Sequence, residues 1–91
     1  MLPSIPNPFS DLGTIRYELA APAHVDLRLY DILGRVVRVL EAGTPKTRGL
    51  QQHAVWDGRD DRGRILAAGV YFYRVETGTR SETDSIVFLE P

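Results

Sequence analysis

Three aspartates, Asp57, Asp60 and Asp61, crowd with two glycines into the segment Trp56-Asp57-Gly58-Arg59-Asp60-Asp61-Arg62-Gly63. Oxygen-rich loops of this kind can hold calcium, because a hard cation takes several carboxylates and backbone carbonyls. The spacing is not that of an EF-hand, and Arg59, Arg62 and Arg64 would repel a cation. The competing reading is a structural turn. Asp57 caps it, Gly58 and Gly63 take positive φ, and the remaining charges solvate it. Trp56, at the base of the loop, has two readings as well: a carbohydrate platform or binding hot spot, or a filler of the core.

Other groups with chemical potential are scattered. His24 and His53 fall in different strands, and Ser4, Ser10, Ser81 and Ser85 sit in no nucleophile-elbow context. Covalent catalysis needs a base within hydrogen-bond reach of a nucleophile and a third group to orient it, and no such pattern is visible. No glycine loop opens a helix to cradle phosphate. Arg16, Arg28, Arg38 and Arg74 suggest a basic stripe on an outer face, but Glu18, Asp26 and Glu76 interleave. That pattern reads as cross-strand pairing rather than a nucleic-acid track.

The elements that would position these residues are short strands. Thr14–Ala20 and His24–Asp31 alternate apolar and polar residues with period two, so each has one buried face. Asp31-Ile32-Leu33-Gly34-Arg35 is a tight turn. Arg35–Glu41 fits a helix by spacing, but three valines in four residues after a tight turn favour a strand. Ala42–Leu50, with Gly43, Pro45 and Gly49, reads as a polar loop. Gln51–Trp56 is another strand, with Ala54 and Trp56 on one face. Arg64–Leu66 is a short strand or bridge. Val70–Thr77 is aromatic and β-branched throughout, with Tyr71, Tyr73 and Val75 assigned to the core. Gly78-Thr79 turns into a last strand over Arg80–Leu89, whose end, Ile86-Val87-Phe88-Leu89, is apolar on both faces. No internal repeat is found, so a solenoid is not expected. The expectation is an all-β, immunoglobulin-like antiparallel sandwich of about seven strands.

Ninety-one residues make one domain, 1–91, with 1–8 as a proline-rich lead-in carrying prolines at 3, 6 and 8. A chain of this size has room for one core and little for a deep cleft. The net charge of -1 gives no reason to expect nucleic acid or an anionic membrane as partner. The absence of cysteine removes disulfides and thiolate metal sites. No apolar run approaches the roughly 20 residues that span a bilayer, so membrane insertion is not expected. The start has neither a basic n-region nor an apolar h-region. If the domain is exported, its leader lies on a longer parent chain.

Five motifs then fall in a familiar order. They are Pro6-Asn7-Pro8-Phe9, Thr14-Ile15-Arg16-Tyr17, Tyr30-Asp31-Ile32-Leu33-Gly34-Arg35, Trp56-Asp57-Gly58-Arg59-Asp60 and Gly69-Val70-Tyr71-Phe72-Tyr73-Arg74. Together they resemble the immunoglobulin-like domain family shared by the flagellar hook-capping protein and the C-terminal sorting domains of type IX secretion cargo. The resemblance implies a seven-stranded sandwich at the end of a larger secreted bacterial protein, at the cell surface or released. In type IX cargo it implies an address read by the outer-membrane translocon. Such sorting domains usually end on a basic residue; here the end is Phe88-Leu89-Glu90-Pro91.

Three functions follow as expectations, none catalytic and none needing a cofactor. The first is a sorting and surface-attachment domain recognised by protein partners. The second is an assembly module, as in a hook cap or appendage, pairing through Ile86, Val87, Phe88 and Leu89 by strand addition. The third is a carbohydrate- or calcium-binding accessory module using Trp56 and the aspartates.

Overall fold

In the computed structural model the described residues are 9, 10 and 12–89. The lead-in 1–8, with Pro6, Asn7 and Pro8 of the first motif, and the last two residues lie outside them. Six strands follow in order: β1 (Gly13–Leu19), β2 (Ala23–Tyr30), β3 (Val36–Lys46), β4 (Gly49–Trp56), β5 (Gly69–Glu76) and β6 (Ser81–Phe88). β1 and β4 form one sheet, and β3-β2-β5-β6 the other. Every strand pair is antiparallel. Among the described residues there is no helix, hence none long and apolar enough to cross a membrane.

Period-two alternation dictates the burial. In β1, Ile15, Tyr17 and Leu19 are buried while Thr14, Arg16 and Glu18 are exposed. In β2, Val25, Leu27 and Leu29 point into the sandwich. β5 supplies Tyr71 and Val75 fully and Tyr73 partly, and β6 supplies Ile86 and Phe88. Each large apolar side chain buried this way contributes roughly 1.5–3 kcal/mol. At one end an aromatic cluster closes the core: Trp56 lies 5.5 Å from Phe9, 5.2 Å from Tyr71 and 5.9 Å from Phe88, centroid to centroid. The Trp56 rings meet Phe9 and Tyr71 edge to face, the favoured geometry for aromatic quadrupoles. Trp56 is therefore a core residue, with no exposed surface.

Two readings of the sequence need correction. The expected polar loop over 42–50 is mostly strand. β3 runs on to Lys46 because β2 offers it a partner along its whole length, down to Ala23 opposite Lys46. Gly43, with φ of 61°, serves an irregularity in that pairing, and its N–H donates to Asp26 Oδ1 at 2.7 Å. Pro45 is tolerated because β3 is an edge strand. Glycine and proline here mark a bulge and an edge rather than a turn. There are also six strands rather than seven, since 64–66 forms only the isolated bridge Arg59–Ile65. Its neighbour Asp61 takes the place of a pairing strand. Its N–H donates to the Val37 carbonyl, and its Oδ1 accepts from the Val39 N–H, both at 3.1 Å.

The connections sort into two poles. Residues 31–35, residues 57–68, the start of β1 and the end of β6 share one pole. The opposite pole holds 20–22, 47–48 and 77–80.

Candidate functional site: two aspartate-arginine loops at one pole

The pole that holds the start of β1 and the end of β6 is built from two loops of the same design. In the first, Asp31 Oδ1 accepts from the backbone N–H of Leu33 (2.9 Å) and Arg35 (3.0 Å), and Asp31 Oδ2 from Arg35 Nε (2.8 Å). Gly34 N–H donates to the Asp31 carbonyl, and Asp31 N–H to the Arg35 carbonyl. In the second, Asp60 Oδ1 accepts from the N–H of Arg62 (2.9 Å) and Arg64 (3.0 Å), and Oδ2 from Arg64 Nε (3.0 Å). Gly63 N–H donates to the Asp60 carbonyl, and Asp60 N–H to the Arg64 carbonyl. The glycines take φ of 83° and 81°. A pattern Asp-x-x-Gly-Arg thus occurs twice, at 31–35 and 60–64. The expectation of no internal repeat is corrected at this short scale, and the five-letter pattern itself is the signal that the sequence carries. Each part has a physical task. The aspartate completes the turn with its own carboxylate, glycine accepts positive φ, and arginine closes a charge-assisted pair.

The electrostatics follow from those bonds. The N–H of Arg35 is the largest influence and desolvation the next, opposing it; the Arg35 side chain and the N–H of Leu33 add to the first, and the Asp31 carboxyl is held below its ordinary range. Asp60 is lowered likewise, by the N–H groups of Arg64 and Arg62 and by the Arg64 guanidinium. In both loops the acid is turned in and the base out. The side chains of Asp31 and Asp60 are 16% and 12% exposed, those of Arg35 and Arg64 73% and 69%.

Around the second loop the other two aspartates face different donors. Asp57 Oδ1 accepts from Arg38 Nη1 and from the Arg59 N–H, both at 3.1 Å, and Asp61 sits on the β3 edge, 3.7 Å from Arg38 Nε. Asp57 thus takes the turn-capping position expected of it. Among the described residues no three acidic, histidine or cysteine side chains gather closely enough to hold a metal ion. The Trp56 indole N–H donates to the Arg59 carbonyl at 2.9 Å, tying the loop to the core. Gly58, with φ of 75°, packs beneath the Phe88 ring, where a Cβ would sit 2.4 Å from ring carbons. At the end of this segment the Tyr71 hydroxyl donates to the Ala67 carbonyl at 2.6 Å.

These loops, the clustered rings of Phe9, Trp56 and Tyr71, and strands β1 to β5 fall within residues 9–81, which match the FlgD Ig-like domain family. The chain belongs to that family. Among solved structures it is similar to dimeric latent PorU from Porphyromonas gingivalis, with a TM-score of 0.68 at 23% identity. The likeness covers 94% of this chain and 9% of the PorU chain, so the domain spans about a tenth of the length of the structure it matches. No curated protein matches it.

In this FlgD Ig-like domain the remaining residues singled out above do not converge. His24 lies on β2 and His53 on β4, in different sheets, both exposed. Ser81 accepts from Arg74 Nε at 3.0 Å, and Ser10 is an exposed bend beside Phe9. The arginine stripe is split. Arg16 lies opposite His53 on the smaller sheet, and Arg38 serves the second loop. Arg28 and Arg74 stand opposite each other, as do Asp26 and Glu76. The ion pairs therefore run along each strand, Arg28 to Asp26 at 4.0 Å and Arg74 to Glu76 at 3.2 Å, and not across it as the interleaved charges suggested. Within the terminal strand, Ile86 and Phe88 are buried in the core. The Val87 carbonyl and the Leu89 N–H are bonded to Phe9.

Proposed function

We propose that this domain is a non-catalytic sorting and surface-attachment module of a larger exported bacterial protein, read by partner proteins of a type IX secretion apparatus. The observation that carries this reading is the likeness over 94% of the chain to a piece amounting to 9% of PorU, together with membership of the FlgD Ig-like family. A sandwich of this size, matched within a far longer chain, suits a module that labels a passenger. The interior is filled by aromatic and aliphatic side chains, which suits recognition through the surface rather than chemistry in a cleft. The test is to fuse a passenger ahead of residue 1 and express it in a type IX host. Appearance of the passenger outside the cell is expected; its retention in the periplasm refutes the reading.

A second reading, an assembly module that pairs through its terminal strand, draws on the outer edge of β6, which no other named strand covers. Phe9 already occupies that edge at Val87 and Leu89, so a joining strand would use the stretch from Ser81 to Ile86. Light scattering at high concentration tests it, and a strictly monomeric domain counts against it.

A further inference from the structure

The two Asp-x-x-Gly-Arg loops agree in their hydrogen bonds but differ at their tips. The second carries Asp61-Arg62, the polar pair expected of a turn in water. The first carries Ile32-Leu33, each 73% exposed. Because the second loop keeps the same bonds with a polar tip, the aliphatic pair is not needed to build the turn. It does not fill the core either.

Isolated exposed aliphatics are ordinary on a protein surface, but this pair is not isolated. Leu33 borders a shallow groove with Val36, Leu66 and Ala67, and Ile32 borders a second one with Tyr30 and Phe72. The exposed apolar side chains of Leu12, Val36, Val55, Ile65, Val70 and Leu89 lie in the same half of the sandwich, the one that ends at this pole. Asp31 and Arg35 form an ion pair 2.8 Å across, with the acid turned inward at 16% exposure and the base outward at 73%, so the guanidinium is the end of the pair that this tip presents. A second copy docked here would bring like guanidinium groups together with their carboxylates turned away, which disfavours self-association. A surface offering an aliphatic pocket with carboxylates at its rim complements both features.

We propose that the Ile32-Leu33 tip, rimmed by Arg35, is the element by which this domain is recognised, seated in an aliphatic, acid-rimmed pocket on a protein of the export machinery. This rests on the sorting reading above. The tip enters the pocket as a desolvated anchor, and the guanidinium sets its orientation.

The experiment compares passenger fusions in a type IX host, carrying either the native domain or the double substitution Ile32→Asp with Leu33→Arg, which copies the tip of the second loop. A milder pair, Ile32→Ser with Leu33→Ser, guards against a folding defect. Each purified domain is melted to confirm its fold, with midpoints expected within a few degrees of native, as for surface positions. Export of the native fusion with about a tenfold or greater loss for both variants is the expected result, the scale of losing a hot-spot contact. Equal export of native and variant fusions overturns the proposal alone. Retention of the native fusion refutes the sorting reading and the proposal with it. Tip-dependent dimerisation, or tip-dependent sedimentation with phosphatidylglycerol vesicles, overturns the assigned occupant in favour of a second copy or a lipid surface.

Discussion

Substituting Gly58 by alanine separates two costs that glycine avoids at once. At φ of 75° any L-residue pays for the left-handed conformation, about 1–2 kcal/mol. Gly63, at 81°, pays the same on conversion to alanine, but no atom lies within 4 Å of where its Cβ would stand. At Gly58 the new Cβ lands 2.4 Å from the Phe88 ring. That ring cannot swing aside, because Phe9 packs on it at 5.2 Å and Trp56 at 5.9 Å. Overpacking of this kind costs a further 1–3 kcal/mol or so. Gly58→Ala is therefore expected to destabilise by about 2–5 kcal/mol, and Gly63→Ala by about 1–2 kcal/mol. In a domain of this size an excess of about 2 kcal/mol lowers the midpoint by roughly 8–16 °C. Urea unfolding followed by the fluorescence of the single tryptophan measures both variants, and Phe88→Leu in each background supplies the cycle. The cost of Gly58→Ala should shrink when the ring is gone, and that of Gly63→Ala should not. Equal costs for the two glycines, or no coupling to Phe88, refutes the contact as the cause.

Other consequences are as direct. Replacing Trp56 with phenylalanine removes the donor to the Arg59 carbonyl and part of the core, and should cost about 2–4 kcal/mol by urea unfolding. Asp31 and Asp60 have lowered values in the fold. Their contribution is thus fully present above the unfolded aspartate value near 4 and is lost as pH falls through the folded values. The variant with Asp31→Asn and Asp60→Asn should show a shallower loss of stability in acid than the native domain; parallel curves would remove these two groups as the source. The Tyr17 hydroxyl donates to Glu41 at 2.8 Å, and burial first, then that bond, raises its value. Its stabilising effect is complete below about pH 10 and declines as pH climbs toward the folded value. Tyr17→Phe should cost about 1 kcal/mol at neutral pH. Calcium should leave the melting midpoint unchanged, since Asp57, Asp60 and Asp61 each serve other donors; a rise with added calcium would show that the loop can rearrange around a cation.

Local alternation was the legible part of the sequence. Ile15-x-Tyr17-x-Leu19 and Val25-x-Leu27-x-Leu29 announce their buried faces, because a side chain on a strand has only two directions to take. The turn at Asp31–Arg35 was equally plain. Gly43 and Pro45 misled because a glycine at a bulge and a proline on an edge look the same, letter for letter, as a turn. Which strands pair is a property of distant contacts, and no residue of β3 states that its outer edge meets Asp61. The partner of Arg38 was hidden for the same reason. Asp57 is 19 residues away, and only the fold brings it within 3.1 Å.

Asp61 has a consequence for life at high concentration. An open sheet edge offers its free donors and acceptors to any passing strand, the first step of aggregation. On β3, one residue occupies both kinds of group, giving its own N–H to Val37 and its carboxylate to Val39. A neighbouring chain that tried to add there would have to displace a bonded charge. The cap guards the edge without an extra strand.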